Sequence, residues 1–432
     1  MTALLYTLGV VVFAVGVIAS IALHEVGHMW PAKKFGVKVT QYFVGFGRTV
    51  WSTKRGETEY GFKAIPLGGY VKLVGMLPPG KGQDPHEVRD TNTGLFTQLV
   101  ADARDAEYEH VSDADMDRLF YRKPWWQKLI VMTGGPFMNL VIAFVLFTIV
   151  LMGFGVLQPT TTVAQVSDCA ISDAEAGRAC TDKDPETPAS KAGLQEGDRF
   201  VSFDGTAITS WDQLSRLIRQ NGDRDATIVV ERDGREVSRT VPTTVIARAS
   251  LDDPTSTEKV GFLGVVPQQE TQRQDVGAVF TTMGGQLKAT GLAIWHLPNR
   301  MVEVTKAAFG AERPEDGPVS VVGASRVAGE IATVGDPTWS ERAVGLMSLL
   351  ASLNLFLFAF NLVPLLPLDG GHIAGALWEA VKRGWARLRG LPTPDPVDVA
   401  RMLPAAYAVG GILMIMSVIL IYADIVNPVR LS

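Results

Sequence analysis

The sequence predicts a polytopic α-helical membrane protein with four transmembrane helices, a membrane-associated β-hairpin region and one extracytoplasmic β-rich domain. Three observations lead there. Of 432 residues, 47% are hydrophobic while 20% are charged, so the apolar residues must be concentrated somewhere. They are pooled in residues 4–23, 129–157, 343–368 and 402–423, which lack Asp, Glu, Lys and Arg over roughly the ~20 residues a helix needs to cross hydrocarbon. The segments between them are charged and carry strand and turn signals instead.

Basic residues set the expected orientation. Lys33, Lys34, Lys38, Arg122 and Lys123 lie near the membrane ends of the loop after the first span, and Lys382, Arg383, Arg387 and Arg389 crowd the loop before the fourth. Cytoplasmic loops carry excess Lys and Arg, so both loops are expected on that side. Residues 158–341 and both termini then lie outside. The first span has no basic segment before it and no small-residue cleavage pattern after it, so it is expected to be retained. A net charge of −5 says little by itself about nucleic acid, but the basic residues are not pooled in one patch, and no nucleic-acid partner is expected. The expected setting is the lipid bilayer of the cell membrane, crossed several times.

The chain divides accordingly. Residues 1–30 form the first span, 31–80 the membrane-face hairpin region, 81–122 a polar, solvated cytoplasmic insertion and 123–157 the second span. The hairpin expectation rests on aromatic and β-branched residues at 42–51 and 58–76 around Gly45-Phe46-Gly47 and Gly68-Gly69. Residues 158–245 form the β-rich domain, with strands near 161–166, 226–232 and 237–241 and a short helix at 211–219. Residues 246–340 form a linker in which Leu287, Ile294 and Met301 recur around Lys288, Arg300 and Lys306. That spacing predicts an amphipathic helix on the outer membrane face, kinked at Pro298. The third span is expected at 341–370, a cytoplasmic loop at 371–400 and the fourth span at 401–425.

Cys169 and Cys180 both fall in the extracytoplasmic segment. A disulfide suits that redox compartment; two free surface thiols are the alternative.

The chemistry lies in His24-Glu25-Val26-Gly27-His28, which continues the first apolar span without a break. Residues four apart share a helix face, so both imidazoles can reach one metal ion. Glu25 can approach a water at that ion as general base. Ionisable residues are expensive in a membrane span and usually mark function. A catalytic Zn²⁺ takes three protein ligands and leaves a position open, so a third ligand is required. The first and third spans run in the same direction, so their last turns meet at the same cytoplasmic depth, where Asp369 and His372 lie. Pro364 and Pro367 break the helix before them, which makes room for a carboxylate and favours Asp369.

The 192–194, 196–198 and 204–205 pattern of Ala-Gly-Leu, Glu-Gly-Asp and Asp-Gly resembles a PDZ domain. That resemblance implies a groove accepting an extended peptide at a sheet edge, although the glycines also serve tight turns on their own. Together with His24 to His28 and the Asn361-to-Gly370 stretch NLVPLLPLDG, it makes the chain similar to the site-2 protease family, closest to the bacterial regulator-of-sigma-E branch. Gly134-Gly135-Pro136 with Asn139, Ile65 to Tyr70 and Gly317 to Ser320 extend the similarity over most of the chain.

The resemblance implies zinc ligands His24, His28 and Asp369 and base Glu25. It also implies that Asn361 and Pro364 hold an unwound substrate while the hairpin around Gly45, Phe46 and Gly47 pairs with it as a strand. For Asn361 an interhelical hydrogen bond is an alternative. The implied function is intramembrane zinc proteolysis of a transmembrane protein, an anti-sigma factor trimmed outside, in regulated intramembrane proteolysis. A membrane PDZ scaffold or chaperone with non-catalytic zinc is the second reading; Glu25 and the want of a fourth ligand speak against it.

Overall fold

The computed structural model describes residues 2–79, 100, 103–104, 111–172, 179–181, 183–250, 257–311, 313, 317–333, 335 and 337–429. Gly155–Gln274 form one compact unit, and the described residues on either side of it form the other.

The helical unit opens with α1 (Thr2–Lys34), followed by β1 (Val39–Arg55), β2 (Thr58–Leu73) and, after the insertion, α2 (Trp125–Thr148), which runs on into a π-helical turn at Ile149–Phe154. Thr2–Lys34, Trp125–Phe154, Trp339–Asn361 and Val399–Val426 are long and apolar enough to cross a membrane. At 1.5 Å per residue His24 stands about 33 Å along α1, close to the thickness of a hydrocarbon core. The Gly27 and Gly134 backbones touch where α1 crosses α2, and a Cβ on either would overlap the carbonyl of the other. Small residues permit that close approach in the absence of any water to squeeze out.

β1 and β2 form more than a simple hairpin. Tyr42 and Phe43 pair with Val71 and Tyr70 on one side and with Tyr60 and Gly61 on the other, while residues 51–55 close on 58–62. The ribbon is thus folded over into four short strands, with 69–73 at one edge. Gly45 and Gly47 make the bend at φ +95° and +86°. A Cβ on Gly45 would sit 2.7 Å from the Ile65 carbonyl oxygen, so only glycine turns there.

Most of the 81–122 insertion lies outside the described residues. Its end corrects the expectation of a solvated stretch: Leu119 is fully buried, and Asp115 is buried with its carboxylate 2.7 Å from Lys38 Nζ. The pair fastens this segment to the start of β1. Lys38 and Ser112 hold the Asp115 carboxyl down to about 2 from an ordinary 3.8. A carboxylate whose folded pKa is depressed stabilises only while ionised, so its contribution is complete above about pH 4 and fades as pH falls toward 2. The stability gap between wild type and Asp115→Asn, followed by thermal unfolding in detergent, is expected to shrink over that window; a gap constant down to pH 2 would refute the assignment.

The β-rich unit comprises β3 (Val156–Val166), α3 (Pro188–Lys191), β4 (Arg199–Phe203), β5 (Thr206–Ala207), α4 (Trp211–Asn221), β6 (Asp225–Arg232), β7 (Arg235–Pro242), β8 (Thr244–Ala249), β9 (Thr257–Phe262) and β10 (Val265–Gln272). The main sheet runs β10-β3-β4-β6-β7, antiparallel throughout, with β5 on β4 and a separate β8-β9 ribbon. Phe200, Leu214, Ile228, Val230, Val241 and Leu263 form its core. Buried Asp198 is held by Arg232 Nε at 2.7 Å. Cys169 and Cys180 are joined by a disulfide, Cα atoms 5.9 Å apart. This unit runs past the expected boundary at 245. The reason is β10: its sequence VVPQQETQ is polar and contains Pro, as an edge strand tolerates, and so hides its strand character.

The chain then returns to the helical unit as α5 (Val276–Ala308), α6 (Val321–Ile331), α7 (Trp339–Asn361), α8 (Asp369–Leu388) and α9 (Leu403–Val426). The amphipathic helix expected around 287–301 is 33 residues long, with Pro298 inside it. Two other boundaries need correction. The third span ends at Asn361, and Asp369 is the first residue of the next helix rather than the end of the span. Pro364 and Pro367 force the intervening turn, and Gly370 lies so close to it that a Cβ would overlap the Val363 carbonyl. Residues expected as a cytoplasmic loop therefore form α8. Its Glu379, 1% exposed at the side chain, bonds Lys128 of α2 at 2.7 Å and Arg383 at 2.6 Å. That buried cluster ties α8 to α2.

Candidate metal centre and active site

Helical spacing puts His24 and His28 on one face of α1, and the turn after α7 swings Asp369 in front of them. His24 Nε2 lies 3.3 Å from Asp369 Oδ2, His28 Nε2 lies 3.4 Å from Asp369 Oδ1, and the two Nε2 atoms are 3.3 Å apart. The possible ligand atoms all fall within 4.8 Å of one another, and no other trio of His, Cys, Asp or Glu converges so among the described residues. Asp369 begins α8, where the helix dipole favours a carboxylate.

Two further observations show that this cluster suits a metal rather than only a hydrogen-bonded knot. His28 Nδ1 is 2.8 Å from the Val131 carbonyl oxygen, which can only accept, so Nδ1 carries the proton and Nε2 offers its lone pair toward Asp369. Gly135 of α2 faces the same space: a Cβ there would overlap His28 Nε2 and lie 2.7 Å from His24 Nε2. Glycine leaves a seat between the imidazoles that any side chain would fill. Two histidines and one carboxylate with room for a further ligand form the donor set of a catalytic zinc site.

Glu25 lies beside the edge strand. A Cβ on Gly69 would come within 3.0 Å of the Glu25 Cγ, and the Val71 backbone amide faces the Glu25 carboxylate. Tyr42 donates to the Ala22 carbonyl at 2.8 Å, bracing β1 against the same stretch of α1. Burial, with the Glu25 charge, pushes its phenol up to about 12, so it stays a donor.

Residues 12–391 of the chain match peptidase family M50. The chain belongs to this family, the site-2 proteases. Among the M50 relatives, zinc metalloprotease Rip1 of Mycobacterium tuberculosis is 34% identical over 441 residues, spanning 99% of this chain and 100% of its own length. Rip1 of Mycolicibacterium smegmatis is 33% identical over 444 residues. Metalloprotease MmpA of Caulobacter vibrioides is 28% identical over 394 residues, with 89% and 87% of the two chains covered.

Within this M50 protein, the other residues singled out from the sequence fall into three places. Asn361 ends α7, half-buried, and its amide has no hydrogen-bond partner among the described residues; Pro364 is exposed in the turn that follows. Gly45, Phe46 and Gly47 shape the bend of the β ribbon, opposite Ile65, and lie on its inner strand rather than at the edge beside Glu25. His372 sits one turn into α8, outside the converging trio. Cys169 and Cys180 belong to the β-rich unit. Sequence reasoning did not assign the Val131 carbonyl, Gly135, Asn139 or the 69–71 edge to the M50 site. Gly135, Asn139 and Gly69-Tyr70 left a signal as parts of the motifs that carry the family resemblance, and Asn139 also as a polar side chain inside an apolar span; the Val131 carbonyl left none.

Proposed function

We propose that this zinc metalloprotease hydrolyses peptide bonds in or near transmembrane segments of other membrane proteins, with His24, His28 and Asp369 as zinc ligands and Glu25 as general base. The observation that carries this reading is the convergence of the three ligand atoms around the seat left by Gly135, at the end of a helix apolar enough to cross a membrane. When bound, zinc polarises the scissile carbonyl and lowers the pKa of a water ligand to about 7.

The remaining work falls to the chain. Glu25 takes a proton from the attacking water and returns it to the leaving amine, its side chain packed beside Gly69 of the edge strand. A peptide bond inside an intact helix is shielded by its own hydrogen bonds, and in lipid the freed backbone groups need new partners. Residues 69–73, paired on one side only in the β1–β2 ladder, offer strand addition beside Glu25. The Asn361 amide, without a hydrogen-bond partner among the described residues, offers two donors and an acceptor, and Pro364 keeps that turn open.

By the distribution of Lys and Arg, the site faces the cytoplasmic side of the cell membrane and the β-rich unit lies outside. The unit resembles a PDZ domain, and it holds a cavity of about 620 Å³ lined by Trp211, Ile218, Arg219 and the Gly261-to-Val265 turn, a place for an extended peptide. There it would screen substrates for prior trimming. The substrate class, a single-span anti-sigma factor cut in regulated intramembrane proteolysis, rests on the family resemblance. Purified protein and a single-span substrate reconstituted together in vesicles are expected to yield fragments with new termini inside or at the edge of the span. Cleavage confined to the aqueous parts of the substrate would overturn the proposal.

A further inference from the structure

Val131, Gly135 and Asn139 are spaced four apart on α2 and so share one face of that helix. The first holds His28 through its carbonyl, and the second leaves the metal seat open. The third is 1% exposed, and its amide nitrogen lies 3.1 Å from His24 Nδ1, while its amide oxygen has no partner among the described residues.

The two ends of a carboxamide have the same shape, so this contact admits two orientations. With the nitrogen toward His24, Nδ1 must be the acceptor, and the imidazole proton then sits on Nε2, facing Asp369 and His28. That tautomer turns the Nε2 proton toward Asp369 Oδ2, 3.3 Å away, although that oxygen has no hydrogen-bond partner among the described residues. The same tautomer cannot bind zinc through Nε2, because the lone pair is occupied. With the amide rotated, Oδ1 accepts from Nδ1–H, and Nε2 presents its lone pair to the metal. His24 then has the same arrangement that the Val131 carbonyl imposes on His28.

We propose that Asn139 is the positioning residue for His24: in the zinc-bound protein its amide oxygen accepts the Nδ1 proton and fixes the tautomer that ligates. The inference rests on the zinc reading above and deepens it, making one face of α2 the outer support of both histidines. Asn139 touches neither substrate nor metal, so its effect is on metal affinity.

The test is zinc affinity of the full-length protein in detergent, by competition with a chromogenic chelator, for wild type, Asn139→Leu and Asn139→Asp. Leu has the same branching at Cγ, though a larger volume, and no acceptor; Asp matches Asn in size and offers an acceptor in either orientation and no amide donor. Asn139→Leu is expected to bind zinc about 10–100-fold more weakly, and Asn139→Asp within about threefold of wild type or tighter. Equal affinity of Asn139→Leu and wild type would overturn the inference, as would a loss in Asn139→Asp as large as in Asn139→Leu. Should Asn139→Leu fail to fold, Asn139→Asp decides alone: retained affinity supports the acceptor role, and a tenfold loss refutes it. A wild-type protein that binds no zinc would remove the zinc reading and this inference with it, which separates that failure from the failure of Asn139.

Discussion

Replacing Glu25 with Gln is expected to leave zinc bound and to lower cleavage of a reconstituted transmembrane substrate by roughly 10²–10⁴-fold, the usual range for losing a general base. Gln preserves the volume and the hydrogen-bonding reach of the side chain but cannot take a proton at neutral pH. The carboxamide fills the same space beside Gly69 and Val71, so the geometry there has no reason to change. His24, His28 and Asp369 are untouched, which is why metal content should stay at the wild-type level. Single-turnover cleavage beside zinc analysis checks both halves. Undiminished cleavage would remove Glu25 from the mechanism, and loss of zinc would mean that Glu25 supports the metal instead.

The second large effect is expected from Gly135→Ala. On helix propensity alone Ala should help α2, because glycine is the poorer helix former by about 1 kcal/mol. The added methyl, however, would overlap His28 Nε2 and stand 2.7 Å from His24 Nε2, in the seat proposed for the metal. The neighbouring backbones cannot retreat, since Gly27 and Gly134 are already in contact one residue away. Zinc affinity should therefore fall by more than the roughly 10–100-fold typical of disturbing an outer partner, while the apo-protein stays folded. A variant that binds zinc as wild type does would show that the ion sits elsewhere.

How much of this could be read from the sequence depended on whether the signal was local. His24, Glu25 and His28 needed only helical spacing and an apolar context. Asp369 needed one step more, the helix break at Pro364 and Pro367, and its exact perch was missed because nothing local shows that a new helix starts there. The support from α2 was out of reach: which face of an apolar helix meets α1 is decided by the Gly27–Gly134 crossing, a tertiary event. Edge strands were the other weak point. β10 is polar and contains Pro because one of its sides needs no partner, and that same freedom erased the alternation on which strand reading depends. Asp115 looked like one more acid in a solvated run, and only the approach of Lys38 buries it.

Zinc content and cleavage measured together on Asp369→Ala bear most directly on the proposed centre. In the proposed centre this side chain would supply the one anionic ligand, and it is the only member of the trio contributed from outside α1. With zinc at His24, His28 and Asp369, wild type carries one zinc per chain and cuts a single-span substrate, whereas Asp369→Ala loses both the ion and the cleavage. Full zinc occupancy with undiminished cleavage in Asp369→Ala would contradict the assignment of the site.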